Sequence, residues 1–410
     1  MHIVESQEDG MKSTTRVQSL LAVAALATAP VLAGCGEDAT QSSANTDGEC
    51  VLKIGTLGPL TGPAADFGLS MEATAKFVAA EANEAGGVKV GDDKCKVEVS
   101  SYDTGYTSAG AASGATEFAS KGIKFVIGPL GATELTGMKP VAARYDMLLD
   151  ANGFGRDALS EEYPLVFHMG PGPFVWAGPI IEAAQEEFDF STVRIIAPND
   201  QSGDDIAIVN EERFQEAGID VSRDSYQRGT QDFAPIVSRL LSGDPDLIDF
   251  ASSPAGDVGV MIKQLRQAGY DGTFARLGGD STAEITKVAG LENIRDFFYY
   301  APVNFESPEV KEILPDFKEK TGMDATGISL GWIPGGRSLL EAITAAGTID
   351  DTAAVAEELA KNDLSDPLLG QGVWTGEEEF GMNQEMSWPF NMGVIKDGKP
   401  PVFTELEADS

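Results

Sequence analysis

Along this chain the apolar positions switch repeatedly between a period of two and a period near 3.6. Val51 to Gly55 is a short β-branched and aliphatic run of the kind that forms a buried strand. Gly58-Pro59 and Gly62-Pro63 break it. Met71 to Ala82, rich in Ala with apolar residues three and four apart, then predicts a helix. The rhythm continues. Lys96 to Tyr102 alternates as a second strand, Ala109 to Ser120 is helical, and Lys124 to Ile127 is a third strand with a loop from Gly128 to Glu134. Met147 to Leu149 and Leu165 to Phe167 add two strands before Gly170-Pro171-Gly172-Pro173 interrupts the pattern. Strands are then predicted at 193–197, 220–226, 247–250 and 273–277, with helices at 206–217, 233–241 and 258–268 between them. Phe297 to Pro302 leads out of this block into helices at 308–320, 330–346 and 353–361, and Phe390 to Lys396 is the last strand.

Two blocks of alternating strands and helices predict an α/β protein of two doubly wound lobes. Three crossings between the blocks, the third at Val373-Trp374-Thr375, would form a hinge on which the lobes close. In open α/β sheets, ligands meet the loops at the carboxyl ends of the strands. In the first lobe these loops hold Asp66-Phe67, Leu130 to Glu134 (with Gly131, Ala132 and Thr133) and Asn152 to Gly155 (with Gly153, Phe154 and Gly155). In the second they hold Asn199 to Ser202, Ser252-Ser253-Pro254 and Gly279-Asp280-Ser281. Phe67 suits a core position as well as a ligand lid. Asp280 suits a helix cap or turn as well as a ligand contact. His168, beside Phe167 in an apolar strand, reads as a satisfied or hinge-region histidine rather than a ligand.

The chain has 410 residues, 42% of them hydrophobic, enough to bury more than one core. A net charge of −36 argues against nucleic acid and against adhesion to anionic lipid surfaces. Catalytic patterns do not appear: no Walker A lysine loop, G-x-S-x-G, H-E-x-x-H or paired C-x-x-C. Gly153-Phe154-Gly155 lacks the third glycine of a dinucleotide fingerprint. With two histidines and three cysteines, metal and His-based acid–base chemistry have little to draw on, and neither a metal nor a cofactor is expected.

Met11 to Cys35 has the layout of an export signal: Lys12 and Arg16, an apolar run from Leu20 to Leu32 too short to span a bilayer, then Leu32-Ala33-Gly34-Cys35. The last four residues resemble a lipobox, which implies cleavage before Cys35 and its acylation. Met11 is then the expected start. Glu37 to Gly48, small and polar, suits a tether.

The chain also resembles a known family. Ile54-Gly55 through Gly58-Pro59-Leu60-Thr61-Gly62 to Gly68, Glu84-Ala85-Gly86-Gly87-Val88, Tyr102-Asp103 and Phe125-Val126-Ile127-Gly128-Pro129 recur in order, followed by Asp232 to Val237 and Lys263 to Gly269. Together, from about 51 to 405, they resemble the Leu/Ile/Val-binding-protein-like family, the extracytoplasmic solute-binding proteins of ABC importers. The resemblance implies a non-enzymatic, lipid-anchored receptor for a small ligand, working as a monomer with an ABC permease and its ATPase subunits. The alternatives are a ligand-sensing receptor subunit on the same fold and, with no nucleophile–base pattern to support it, an enzyme on the same scaffold. The expected layout is a signal at 1–34, a lipidated tether at 35–49, lobe one at 50–169 and 302–375, and lobe two at 170–301 and 376–410. The family's aromatic lid falls on Phe67. Its carboxylate-holding serine falls on Ala132, beside Gly131 and Thr133, and its next two contacts fall on Gly153 and Gly155, flanking Phe154. Its lobe-two aromatics fall on Ser202 and on Pro254, beside Ser253. The carboxylate that pairs with a ligand ammonium falls on Asp280. Loss of the hydroxyls at Ala132 and Gly155 points away from an ordinary branched-chain amino acid, towards another amino acid, an amide or an aromatic acid. Cys50 and Cys95 precede strands that the family places side by side, so a disulfide is expected between them in an oxidising compartment.

Overall fold

A computed structural model describes residues 49–407. The expected acylation site, Cys35, and the signal and tether lie outside the described residues. The first sheet is entered through β1 (Val51–Gly58), α1 (Ala65–Glu84), β2 (Val88–Val90), β3 (Asp93–Asp103), α2 (Ser108–Ser120), β4 (Phe125–Leu130), α3 (Ala132–Arg144), β5 (Leu148–Asn152) and β6 (Val166–His168). The second takes α4 (Pro173–Glu187), β7 (Thr192–Pro198), α5 (Gln201–Glu216), β8 (Asp220–Tyr226), α6 (Ala234–Leu240), β9 (Leu247–Asp249), α7 (Ala255–Gln267), β10 (Thr273–Arg276), α8 (Thr282–Ala289) and β11 (Phe297–Ala301). The chain then returns through α9 (Pro308–Thr321), α10 (Gly327–Gly331), α11 (Ile333–Ala346) and α12 (Thr352–Leu359). A two-strand hairpin, β12 (Ser365–Asp366) with β13 (Gly370–Gln371), precedes β14 (Val373–Thr375), α13 (Glu377–Phe380) and β15 (Glu385–Ser387). β16 (Phe390–Ile395) and β17 (Val402–Leu406) end the described chain.

Strand order is β14-β15-β6-β5-β4-β1-β3-β2 in one sheet and β17-β16-β11-β10-β9-β7-β8 in the other. The central strands pair in parallel, as right-handed βα crossovers require. Apolar clusters cover both faces of each sheet. Phe77, Ile127 and Ile343 pack on one face of the first sheet and Phe118, Val126 and Leu149 on the other. Ile195 and Phe298 pack on one face of the second and Phe250, Phe274 and Ile262 on the other. This is the two-lobe α/β architecture expected from the alternating pattern.

The structure moves several boundaries. The chain passes between sheets after β6, after β11, and between β15 and β16. The third passage was expected at 373–375, yet β14 and β15 belong to the first sheet, with Val373 paired to Ser387 and Glu385 to His168. Two three-residue strands on a sheet edge carry too little periodicity to be read from sequence. α4 was not anticipated because Pro173 and Pro179 look like breakers. Pro173 instead occupies the first helical turn, where a missing N–H costs nothing. α8, β2 and β17 were likewise not anticipated.

Cys50 and Cys95 form a disulfide with Cα atoms 4.4 Å apart. It closes the chain at the amino ends of β1 and β3, where the backbone pairs Val51 with Lys96. His168 lies fully buried, its Nδ1 3.0 Å from Glu385 Oε2, and Thr375 Oγ1 donates to the other carboxylate oxygen at 3.2 Å. This pair joins β6 to β15, the two strands that precede the first and third passages between sheets. The histidine is thus a hinge-region residue with a buried partner.

Candidate functional site

The carboxyl ends of both sets of strands face one another across a cavity of about 820 Å³, including the space at its mouth. Six aromatic side chains stand in its walls. Phe67, Tyr106, Phe154 and Trp332 come from first-sheet segments and passages, Trp176 and Tyr300 from α4 and β11. Trp176 stacks on Tyr300 with centroids 4.0 Å apart, and Phe154 meets Trp176 edge-on at 5.4 Å. Trp176 Nε1 donates to the Leu277 carbonyl, which fixes the indole in place. Such rings bring large apolar area with few rotatable bonds.

Polar contacts between the lobes surround this cavity. Ser202 Oγ accepts from Thr133 N at 3.3 Å, and Thr136 Oγ1 donates to Gln201 Oε1. Ser281 Oγ donates to Asp66 Oδ2 at 3.4 Å, and Arg156 bridges to Glu212 at 2.5 Å. The guanidinium of Arg228 lies 4.7 Å from the ring centre of Tyr106, and that of Arg276 lies 5.7 Å from Phe67. The lobes are closed on one another.

The residues singled out from the sequence take different places. Phe67, Gly131, Ala132, Phe154 and Ser202 line the cavity. Phe67 is in the first turn of α1 and Ser202 in that of α5, where loops had been expected. Gly131, at φ 77°, leads into α3, and a Cβ there would lie 2.6 Å from Tyr106 Oη and 2.9 Å from Ser202 Oγ. Thr133 stands beside the cavity and meets Ser202. Gly153 is a spacer: a Cβ on it would sit 3.1 Å from the Gly131 carbonyl carbon. Gly155 faces lobe two, and a Cβ there would meet Asp205 Oδ2 at 2.7 Å.

Ser253 and Asp280 are outside the cavity lining. Ser253 is fully buried, its hydroxyl donating to the Ile196 carbonyl and its own carbonyl accepting from Arg276. Asp280 accepts from Thr282 N at 3.0 Å, two residues on and just before α8, the turn alternative raised by its position. Its other oxygen lies beside Gly327, the first residue of α10 in the opposite lobe. Burial pushes its carboxyl above the usual range.

Charged groups around the cavity were missed by the sequence reading. Arg228 grips Asp200 through Nε at 2.6 Å and Nη2 at 3.2 Å, while Asp200 also caps α5 by accepting from Gly203 N. Burial pushes the Tyr106 phenol up to about 12. Asp205 lines the cavity, and its Oδ2 is sealed from solvent with no partner among the described residues. Burial, with Asp157, Asp204 and Asp200 nearby, raises its carboxyl to about 6. Glu134, in the first turn of α3, is buried and accepts from Thr104 Oγ1. Burial raises it well above the ordinary value and favours its neutral form. Trp176 and Tyr300 carried a usable signal, since each lies within a few residues of a Gly/Pro-marked passage between lobes; Trp332, between α10 and α11, did not. Asp205 and Arg228 carried none.

Residues 51–397 match the family described as periplasmic binding protein. The chain belongs to that family. A leucine-, isoleucine-, valine-, threonine- and alanine-binding protein of Pseudomonas aeruginosa is 26% identical over 331 residues, which span 78% of this chain and 85% of the relative. The Leu/Ile/Val-binding protein of Escherichia coli K12 is 24% identical over 90% of this chain and 98% of its own. The fold matches a branched-chain amino acid transporter substrate-binding protein of Streptococcus pneumoniae, solved with isoleucine, at a TM-score of 0.73. That alignment has 19% identity and covers 86% of this chain and all of the other. This periplasmic binding protein is therefore an extracytoplasmic solute-binding protein of the ABC-importer type, not an enzyme. Among the described residues no His/Cys/Asp/Glu group is arranged to hold a metal, and no helix is long and apolar enough to cross a membrane.

Proposed function

We propose that the mature chain is a receptor held at the membrane by a lipid on Cys35. It captures a small amino-acid-like solute, or a related carboxylate or amide, by lobe closure. It works as a monomer and hands the solute to an ABC permease powered by its ATPase subunits. The observation that carries this reading is the cavity, with six aromatic side chains in its wall, at the junction of two lobes joined by three chain passages. The relatives' ligands support amino acids as the starting class. Among the sequence-derived candidates, Phe67, Gly131, Ala132, Phe154 and Ser202 are proposed to touch the solute, with Thr133 and Gly155 supporting them and Gly153 and Ser253 holding the loops.

A thermal-shift panel of amino acids, amides and aromatic acids tests solute binding. A true ligand at a hundred times its dissociation constant should stabilise the fold by about 2.7 kcal/mol. A panel without effect, including a concentrated extract of small molecules, would count against solute capture. Cys35→Ser should release the protein from the membrane fraction, because the acyl chains proposed to hold it there can no longer be attached. Light scattering at micromolar concentration should report a single chain.

A further inference from the structure

The family resemblance places the ammonium-binding carboxylate at Asp280, yet the structure gives that residue other work. One oxygen accepts from Thr282 N in the turn before α8, and the other lies beside Gly327, where a Cβ would collide with it. It does not line the cavity. The charged side chains that do line it are Asp205 and Arg228. Arg228 is matched by the fork of Asp200, so this pair brings no net charge. Arg276, behind Phe67, donates to the carbonyls of Gly279 and Ser253 and is surrounded by Asp66, Asp280 and Asp249. Each cation near the cavity is thus already balanced. Asp205 is not: its Oδ2 is shut away from water without a hydrogen-bond partner among the described residues. A buried carboxylate oxygen left bare costs several kcal/mol unless a donor or cation arrives.

The surroundings of that oxygen suit an organic cation. Oδ2 lies against Gly155, next in the chain to Phe154, whose ring leads to the Trp176–Tyr300 stack. Aromatic faces beside a carboxylate favour a protonated amine that carries its own apolar body. Asn152, also in the wall, can meet a further polar group of the ligand. Resting on the solute-receptor reading above, we propose that Asp205, not Asp280, receives the positively charged nitrogen of the ligand. The ligand is then an organic amine whose apolar or aromatic body lies against Phe154, Trp176 and Tyr300.

The groups facing Asp205 are Asp157 from the loop after β5, and Asp200 and Asp204 on its own helix. Of the cations in this region, Lys139 Nζ lies 3.9 Å from Asp157 Oδ2, Arg228 is held by Asp200, and Arg156 is held by Glu212. Asp205 therefore takes up a proton near pH 6 in the empty site. Amine affinity should fall as pH drops below that point, and Asp205→Asn should remove this dependence.

Protein freed of endogenous solute is mixed with phenylalanine, leucine, their amides, phenethylamine, 3-phenylpropanoate, 4-methylpentanoate and a concentrated small-molecule extract. Compounds retained through gel filtration are identified by mass spectrometry. The expected result is retention of amine-bearing compounds and at least tenfold weaker retention by Asp205→Asn. Gly155→Ala, which crowds the same carboxylate from lobe one, should also weaken it while leaving the melting transition cooperative. Retention of compounds without an amine, or equal retention by wild type and Asp205→Asn, overturns the assignment and leaves solute capture standing. Loss in Asp280→Asn with none in Asp205→Asn also overturns it. Retention of nothing from the mixture or the extract defeats the receptor reading and, with it, this assignment.

Discussion

Two helices begin on opposite sides of the cleft and meet there with different equipment. α3 opens at Gly131 without a side-chain cap, and its first-turn acid, Glu134, is buried in a form that favours neutrality. Its free backbone N–H at Thr133 is met by a hydroxyl from the other lobe. α5 opens under Asp200, which is capped to Gly203 N and gripped by Arg228, and one turn later presents Asp205 to the cavity. Lobe one thus brings backbone and shape to the site and keeps its acid buried behind it; lobe two brings charge. The lesson is that the two halves of a cleft need not share recognition equally. Closure can bring a polar but uncharged wall against a charged one, so that the attraction is felt only by a ligand that complements lobe two.

The largest effect expected from this contrast is on rigidity. The Cys50–Cys95 bond lies at the amino end of the first sheet, far from the cleft loops, and closes a span of 45 residues. Replacing both cysteines by serine should lower stability by up to about 4 kcal/mol in the chain-entropy description. Denaturant melts should record this, while calorimetry should find ligand affinity within about twofold of wild type. A large affinity loss would break the separation between lobe-one framework and lobe-two recognition.

Next in size is the response to pH. Asp150, Glu134 and Asp249 have carboxyls raised by burial, Asp249 to about 6 despite bonds from Asn210, Ala251 and Leu277. The folded state holds these protons at a pH where the unfolded chain has lost them, so stability falls as pH rises through the folded values. Asp103 and Asp246 are lowered by hydrogen bonds that outweigh desolvation, and their contribution is lost as pH falls below the usual carboxylate range. The melting temperature should therefore climb between pH 7 and about 5 and drop again below about 4. Asp249 alone is expected to account for about 1.4 kcal/mol of the climb, since pH 5 lies about one unit below its folded value. A steady fall from pH 7 to 5 would show that these buried acids do not hold their protons.

Arg228→Ala is expected to be smaller, about 1–3 kcal/mol in stability, because Asp200 loses a two-point charged partner at a half-buried position. The same variant should weaken solute binding about tenfold by freeing Asp200 and Tyr106. Unchanged binding would move the charge of lobe two out of the recognition surface. Glu134→Gln should be the mildest change, under about 1 kcal/mol, because an amide replaces an acid that already favours its neutral form. A large loss there would mean that lobe one does contribute a charge to the cleft.

What the sequence determined by itself is the two-lobe α/β architecture, and the reason is local. Period-two runs such as Lys96 to Tyr102, and helical stretches such as Met71 to Ala82, need only neighbours along the chain to declare themselves. Phe67, Gly131, Ala132, Phe154 and Ser202 were legible because a loop after a buried strand points at the ligand edge of the sheet. The pairing of Cys50 with Cys95 was legible through the family resemblance, which sets their strands side by side. Tertiary structure alone decided the rest. The short edge strands β14 and β15 gain identity only from their partners across the sheet, so the third passage moved to the link before Phe390. Asp280 looked like a cleft carboxylate until Thr282 N took one of its oxygens and the other came to rest beside Gly327, outside the cavity lining. Asp205 looked like one more surface acid on a helix until closure carried it against Gly155 and into the cavity. The state of a carboxylate depends on burial and on partners distant in sequence, and neither is written in the residues beside it.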